Sequence, residues 1–172
     1  VRFTRAYCPY PLSGPCRAAL VTGRMPFEVG AFDNAIRPAD ADMQAGIGHR
    51  LAEAGYECLY AGKWHVPEVN LPDSGTGFRR ISKMNDPALA DACDAALKEY
   101  DGQKPLFLVA SLLNPHEICE YGRPETLQYG ELAPFSTEEC PNLPANFMPS
   151  TYAAEALTLE HASSPRYHDT YT

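Results

Sequence analysis

The run Leu106-Phe107-Leu108-Val109-Ala110-Ser111, opened by Lys104-Pro105, is apolar as far as Ala110. A strand with no polar face has to be covered on both sides, the situation of a central strand in a parallel sheet. Parallel strands need long crossovers between them, usually helices. The sequence supplies these. From Asp40 to Ala54, Met43, Ile47 and Leu51 form a stripe at helical spacing, with Asp40 as the predicted cap and Gly55 ending the helix. Cys58 to Ala61 reads as a short buried strand, and a second helix is predicted from Pro87, with Asp86 as its cap, to about Tyr100. Helix–strand–helix–strand alternation predicts an α/β fold with a mostly parallel sheet flanked by helices.

The opening segment reads differently. Val1 to Tyr7 alternates apolar and polar residues, which predicts a short strand. Cys8 to Pro15 holds three prolines and a glycine and must be a turn-rich loop. Good helix formers follow from Arg17, and Gly23 is placed to cap that helix at its C-terminal end. Proline is abundant throughout, 16 of 172 residues, about twice ordinary usage. Many of these prolines fall between Pro115 and Pro165, and residues 117–172 read as an irregular connection that ends in the start of a helix.

Length and composition fit a soluble globular protein, with 45% apolar and 21% charged residues. No apolar run approaches the roughly 18 residues of a membrane span. A net charge of −8 disfavours non-specific binding to nucleic acid or to an anionic membrane. An anionic substrate would therefore require a local cationic pocket. The six cysteines show no CxxC or Cys/His spacing, which argues against zinc, and their spacing does not separate free thiols from disulfides; a Cys119–Cys140 bridge is one open pairing. No basic and apolar leader is visible; the chain begins at Val1, not at methionine, and both ends read as cut.

In open parallel sheets, ligands gather beyond the carboxyl ends of the strands. Lys63 and His65 lie just past one predicted strand, and Asn114-Pro115-His116 just past the other. Ser13 stands four residues before Arg17 at the mouth of a helix, where free N–H groups and the dipole favour anions. A nucleophile there suits attack on a sulfate or phosphate ester. Taken singly, each residue has a plainer reading. Ser13 would cap a helix, Trp64 would be a buried ring between a surface Lys63 and His65, and His116 would bond loop backbone. Their joint arrival at one sheet edge favours chemistry.

With those residues in view, the chain resembles the type I sulfatases of the alkaline phosphatase superfamily. Ser13-Gly14-Pro15-Cys16-Arg17, followed by Ala18 to Thr22-Gly23-Arg24, is similar to their C/S-x-P-x-R signature and its helix ending in TGR. Gly55-Tyr56 with Gly62-Lys63-Trp64-His65 resembles the second signature, GY…GKWH, and Pro105 to His116 resembles the strand ending in N-P-H. Leu143-Pro144-Ala145-Asn146-Phe147 is similar to a loop of bacterial members.

The resemblance implies an alkaline-phosphatase-like sandwich and a sulfuric ester hydrolase, with sulfated carbohydrate as the expected substrate. Ser13 would be oxidised to Cα-formylglycine by a radical maturase and would also be a Ca2+ ligand. Arg17 would hold and neutralise the formylglycine hydrate. Lys63 and His65 would contact the sulfate and the ester oxygen, and His116 would bind sulfate or assist the leaving group. Family habit implies a periplasmic or secreted protein. Two departures stand out. Ser13 occupies the position usually held by Cys, with Cys16 at the later variable position; Cys8 lacks an arginine four residues on. The calcium site's Asp pairs are expected outside residues 1–172, so the chain alone is predicted inactive. The alternatives are a phosphate mono- or diester hydrolase using Ser13 unmodified, and a non-catalytic anion-binding pseudoenzyme.

Overall fold

The computed structural model describes residues 2–36, 38–66, 75–117, 119–120, 125–127, 130, 136, 138, 141–143, 145, 147–148, 151–152 and 154–163. The chain divides into a first unit, Val1–Asn114, and a second, Pro115–Thr172.

The first unit is built on a parallel sheet of three strands, β1 (Glu57–Gly62), β2 (Arg79–Ser82) and β3 (Leu106–Ser111), in the order β2-β1-β3. β1 and β3 pair without a slip from Glu57 opposite Leu106 to Gly62 opposite Ser111. β1 pairs with β2 with an irregularity between Tyr60 and Ala61. The α/β fold class read from the sequence is the one observed, but the strand order corrects one detail. β1, buried from Cys58 to Gly62, is central, whereas β3 pairs with β1 alone among the described strands and is mostly half-buried. Apolar composition marked β3 as an inner strand; its pairing leaves it at the edge of these three.

Side chains alternate across β1. Cys58 and Tyr60 join a core with Ala18, Val21, Met43, Trp64, Val66 and Phe78. Its centre is aromatic. Tyr60 meets Trp64 edge-on at 4.9 Å and Phe78 at 5.6 Å, and Phe78 lies 5.8 Å from Phe107. Such pairs are each worth about 0.5–1.5 kcal/mol beyond the area they bury. Leu59 and Ala61 are buried too, on the alternate side of the strand.

The helices are α1 (Ser13–Thr22), α2 (Asp40–Gln44), α3 (Ile47–Glu53) and α4 (Asp86–Glu99), with a 3-10 turn at Pro26–Val29. Several boundaries correct the sequence reading. Arg2 to Tyr7 forms no strand, because it has no partner to pair with among the described residues. α1 begins at Ser13 and not after Pro15, since proline is tolerated in the first turn, where its missing N–H costs nothing. The helix predicted over Asp40 to Ala54 is broken at Ala45–Gly46. A Cβ at Gly46 would lie 2.9 Å from the carbonyl oxygens of Met43 and Val21, so the chain turns there by close backbone approach. Asp40 is the first helical residue and not the cap, which is Ala39.

Asn85, not Asp86, caps α4 by accepting from Ala88 N–H. Asp86 is thereby released for another task. Its carboxylate accepts the N–H groups of Leu113 and Asn114 at 2.6 and 2.8 Å, fixing the chain as it leaves β3. Gly23 does cap α1, in the left-handed conformation (φ 69°), with its N–H donating to Ala19.

In the second unit the described helix is α5 (Glu155–Ser163). Cys119 there is half-buried. Cys140, and Pro144 and Asn146 of the bacterial-type loop, lie outside the described residues.

Candidate active site

Ser13 is the first residue of α1, half-buried, and its hydroxyl oxygen lies 2.6 Å from Nδ1 of His65, 52 residues further along the chain. Either the hydroxyl donates to a bare Nδ1 or an Nδ1–H donates to the hydroxyl; the tautomer decides. His65 is exposed and carries φ 45°, a left-handed backbone that few non-glycine residues adopt. Strain of this kind concentrates at functional sites. Here it turns an imidazole towards the mouth of α1.

Gly14 is buried against a loop. Its N–H donates to Asn34 Oδ1 at 2.7 Å, and a Cβ at Gly14 would stand 3.0 Å from that oxygen. The N–H supply of the helix mouth is therefore smaller than the sequence suggested. Gly14 is engaged by Asn34, Pro15 has no N–H, and Cys16 N–H donates to the Leu12 carbonyl. An anion here depends on side chains and on the helix dipole more than on open amides.

Arg17, one turn after Ser13, is fastened to the ends of two strands. Its Nη1 donates to the Lys63 carbonyl at 2.8 Å and to Ser111 Oγ at 3.0 Å. The Tyr60 hydroxyl donates to the same carbonyl at 2.7 Å. Lys63 N–H in turn donates to the Ser111 carbonyl at 2.7 Å, continuing the ladder beyond Gly62. Two cationic residues are thus held beside each other in a chain of net charge −8. Lys63 is only 6% exposed, which corrects the picture of a surface lysine, while Trp64 is buried as expected at 7%. Beside Arg17 opens a cavity of about 240 Å³, walled by Leu20, Trp64, Phe107 and Val109; Ser13 and His65 do not line it.

The structure therefore brings together Ser13, Arg17, Lys63 and His65, all in the first unit. His116 is an exposed turn residue of the second unit. Ser111, Tyr60 and Asn34 were not singled out from the sequence, and Asp86 was read there only as a helix cap. Ser111 alone had a local signal, a hydroxyl ending an otherwise apolar strand.

Cys16 adjoins Ser13's turn. Burial, first, and the hydrogen bond with Cys8, second, raise its thiol above the usual value, the charge on Cys8 adds to this, and Arg17 opposes it. As for calcium, Ser13 Oγ faces an imidazole, and no three His, Cys, Asp or Glu side chains among the described residues gather as a metal-holding group. Calcium takes 6–8 oxygen ligands. The described residues do not fit that ion by themselves. No helix among them is long and apolar enough to cross a membrane.

Comparison with known proteins gives the family. The sulfatase family model matches residues 1–171. A Delta 4,5-hexuronate-2-O-sulfatase of Bacteroides thetaiotaomicron is 29% identical over 86% of this chain and 33% of its own length. Arylsulfatase A of Homo sapiens is 36% identical over 47% of this chain and 17% of its own length. The solved structure of a 2-O GAG sulfatase superposes with a TM-score of 0.60 at 28% identity, covering 84% of this chain and 33% of that one. The chain thus spans about a third of the length of the hexuronate sulfatase and of the 2-O GAG sulfatase. Matched by that family model over residues 1–171, the chain belongs to the sulfatase family.

Proposed function

We propose that this chain is the nucleophile-bearing part of a sulfuric ester hydrolase, with Ser13 converted to Cα-formylglycine. The observation that carries this reading is the 2.6 Å contact of Ser13 Oγ with His65 Nδ1, one helical turn from the fastened Arg17. An unmodified serine would be left as a sulfate ester that is slow to hydrolyse. An aldehyde hydrate avoids that trap. One hydroxyl attacks sulfur and the substrate's alcohol leaves; the second hydroxyl then loses its proton as the carbon–oxygen bond to sulfate breaks, and the aldehyde returns.

In this scheme His65 exchanges the proton at the Ser13 position. Arg17 and Lys63 offset charge on the sulfuryl oxygens, and buried cations do so more strongly than exposed ones. His116 serves the sulfate or the leaving group. Calcium, expected from the resemblance, would need oxygen ligands beyond those described, and inactivity of the chain alone is part of this proposal. Sulfated carbohydrate is the proposed substrate class, supported by relatives named for a hexuronate and for N-acetylglucosamine. The remaining proposed partner is the radical maturase, and the proposed location is periplasmic or secreted.

Trypsin should release Ala6 to Arg17 as one peptide carrying Ser13. From cells that also make a Ser-type radical maturase, the reduced peptide should weigh two hydrogens less than the encoded sequence. Intact serine in such cells overturns the formylglycine reading. It would favour direct attack by Ser13 with His65 as base, the phosphate-ester alternative.

A further inference from the structure

Cys8 and Cys16 bracket Ser13 in sequence, and their sulfurs lie 3.4 Å apart. Cys8 is exposed, whereas Cys16 is half-buried in the first turn of α1. The loop between them is already shaped for this approach. Pro9, Pro11 and Pro15 restrict its backbone. Leu12 N–H donates to the Tyr10 carbonyl at 2.8 Å, the Cys8 thiol donates to the same oxygen at 3.0 Å, and Cys16 N–H donates to Leu12. Little loop ordering remains before the sulfurs meet, and closure from 3.4 Å to the roughly 2.05 Å of a disulfide asks mainly for rotation of the exposed Cys8 side chain.

We propose that Cys8 and Cys16 are a reversible disulfide site that closes the Ser13 loop onto the start of α1. This does not rest on the sulfatase reading of Ser13. The oxidant is a low-molecular-weight disulfide of the glutathione class. The Cys8 thiolate attacks one sulfur of that disulfide and expels one thiol, leaving a mixed disulfide at Cys8. The Cys16 thiolate then attacks the Cys8 sulfur and expels the second thiol. Two protein thiols are oxidised, one small disulfide is reduced to two thiols, and two protons pass to the departing thiolates. The order follows from access: Cys8 meets solvent first, and burial holds Cys16 largely in the thiol form until the mixed disulfide is beside it. Cys58 is buried in the core and Cys93 half-buried on α4, and neither is in a disulfide.

The test treats the whole chain with oxidised glutathione, alkylates the remaining thiols and maps the peptide Ala6 to Arg17. The expected peptide carries no alkyl group and weighs two hydrogens less than the free dithiol. After reduction it regains them and takes two alkyl groups. Formylglycine at Ser13 also removes two hydrogens, but that loss survives reduction and leaves both thiols open to alkylation, so the two modifications fail or succeed separately. Cys16→Ser should trap glutathione on Cys8, because the resolving thiol is gone, and Cys93→Ser should change nothing in this peptide. Full alkylation of both cysteines after oxidation, or a glutathione adduct that persists on Cys8 with Cys16 present, would overturn the proposal.

Discussion

Arg17 and Ser111, 94 residues apart, are joined by a 3.0 Å hydrogen bond from the guanidinium to the hydroxyl. The bond links the helix that carries Ser13 to the last residue of β3. Together with the Lys63 carbonyl, it fixes a cationic head group at the carboxyl ends of two neighbouring strands. The position of Arg17 is therefore a tertiary property, set by the in-register pairing of Gly62 with Ser111.

Ser111→Ala removes that acceptor and leaves Arg17 with the Lys63 carbonyl and the more distant Tyr60 hydroxyl. A hydrogen bond to a charged group contributes roughly 1.5–3 kcal/mol. Because Arg17 is only half-buried and keeps its other partners, the expected loss is at the low end, about 1.5 kcal/mol. Urea unfolding of the two forms measures it, with an unchanged slope expected since the exposed area hardly differs. Ser111→Thr, which keeps the hydroxyl, should recover most of the loss; equal destabilisation by both would deny the bond its role.

The sequence disclosed this region unevenly, for identifiable reasons. β1 and β3 were legible because short apolar runs with clear breakers survive any tertiary context. Ser13, Arg17, Lys63 and His65 were legible because they stand in contiguous signatures. β2 was missed: Arg79-Arg80-Ile81-Ser82 has no apolar run, and it becomes a strand by pairing with β1. Its Arg80 stacks over Trp64 at 5.0 Å, a contact that sequence spacing does not encode. Asp86 was read as a helix cap because an acid before a proline so often is one. Asn85 satisfied the helix instead and freed Asp86 for the end of β3. Asn34 left no local trace at all, because its partner Gly14 lies 20 residues away.

Gly62 is the residue on which the closeness of the two strand ends depends. It adopts φ 89°, and a Cβ there would stand 2.1 Å from the Ser111 carbonyl oxygen and 2.5 Å from a Leu89 methyl group. Leu89 has room to turn aside, but the carbonyl does not, since it accepts from Lys63 N–H. Gly62→Ala therefore combines a left-handed alanine with an overpacked backbone, each costing about 1–3 kcal/mol. A loss of about 3 kcal/mol or more is expected in urea unfolding, together with faster hydrogen exchange at the Lys63 amide. Alanine tolerated at under about 1 kcal/mol would mean that the strand ends separate easily.

Cys58 offers a pH-dependent counterpart in the core. Burial raises its thiol above the ordinary value of 9.0. The fold thus favours the neutral thiol over the thiolate. The associated stability is complete below the unfolded value and is lost as pH rises through the higher folded value. Between these two values the unfolded chain gives up a proton that the folded chain retains, so unfolding gains ground with each step upward in pH. Burial raises the Cys16 thiol in the same direction, and Cys58→Ala, which keeps Cys16, serves as the reference. The substitution should lower stability below pH 9.0 by removing buried volume, yet flatten the decline above it. Urea midpoints of both forms across that range decide the matter: parallel declines would show that the Cys58 thiol is not protected by the core. The same burial should keep Cys58 unalkylated in the folded chain under conditions that label the exposed Cys8 at once.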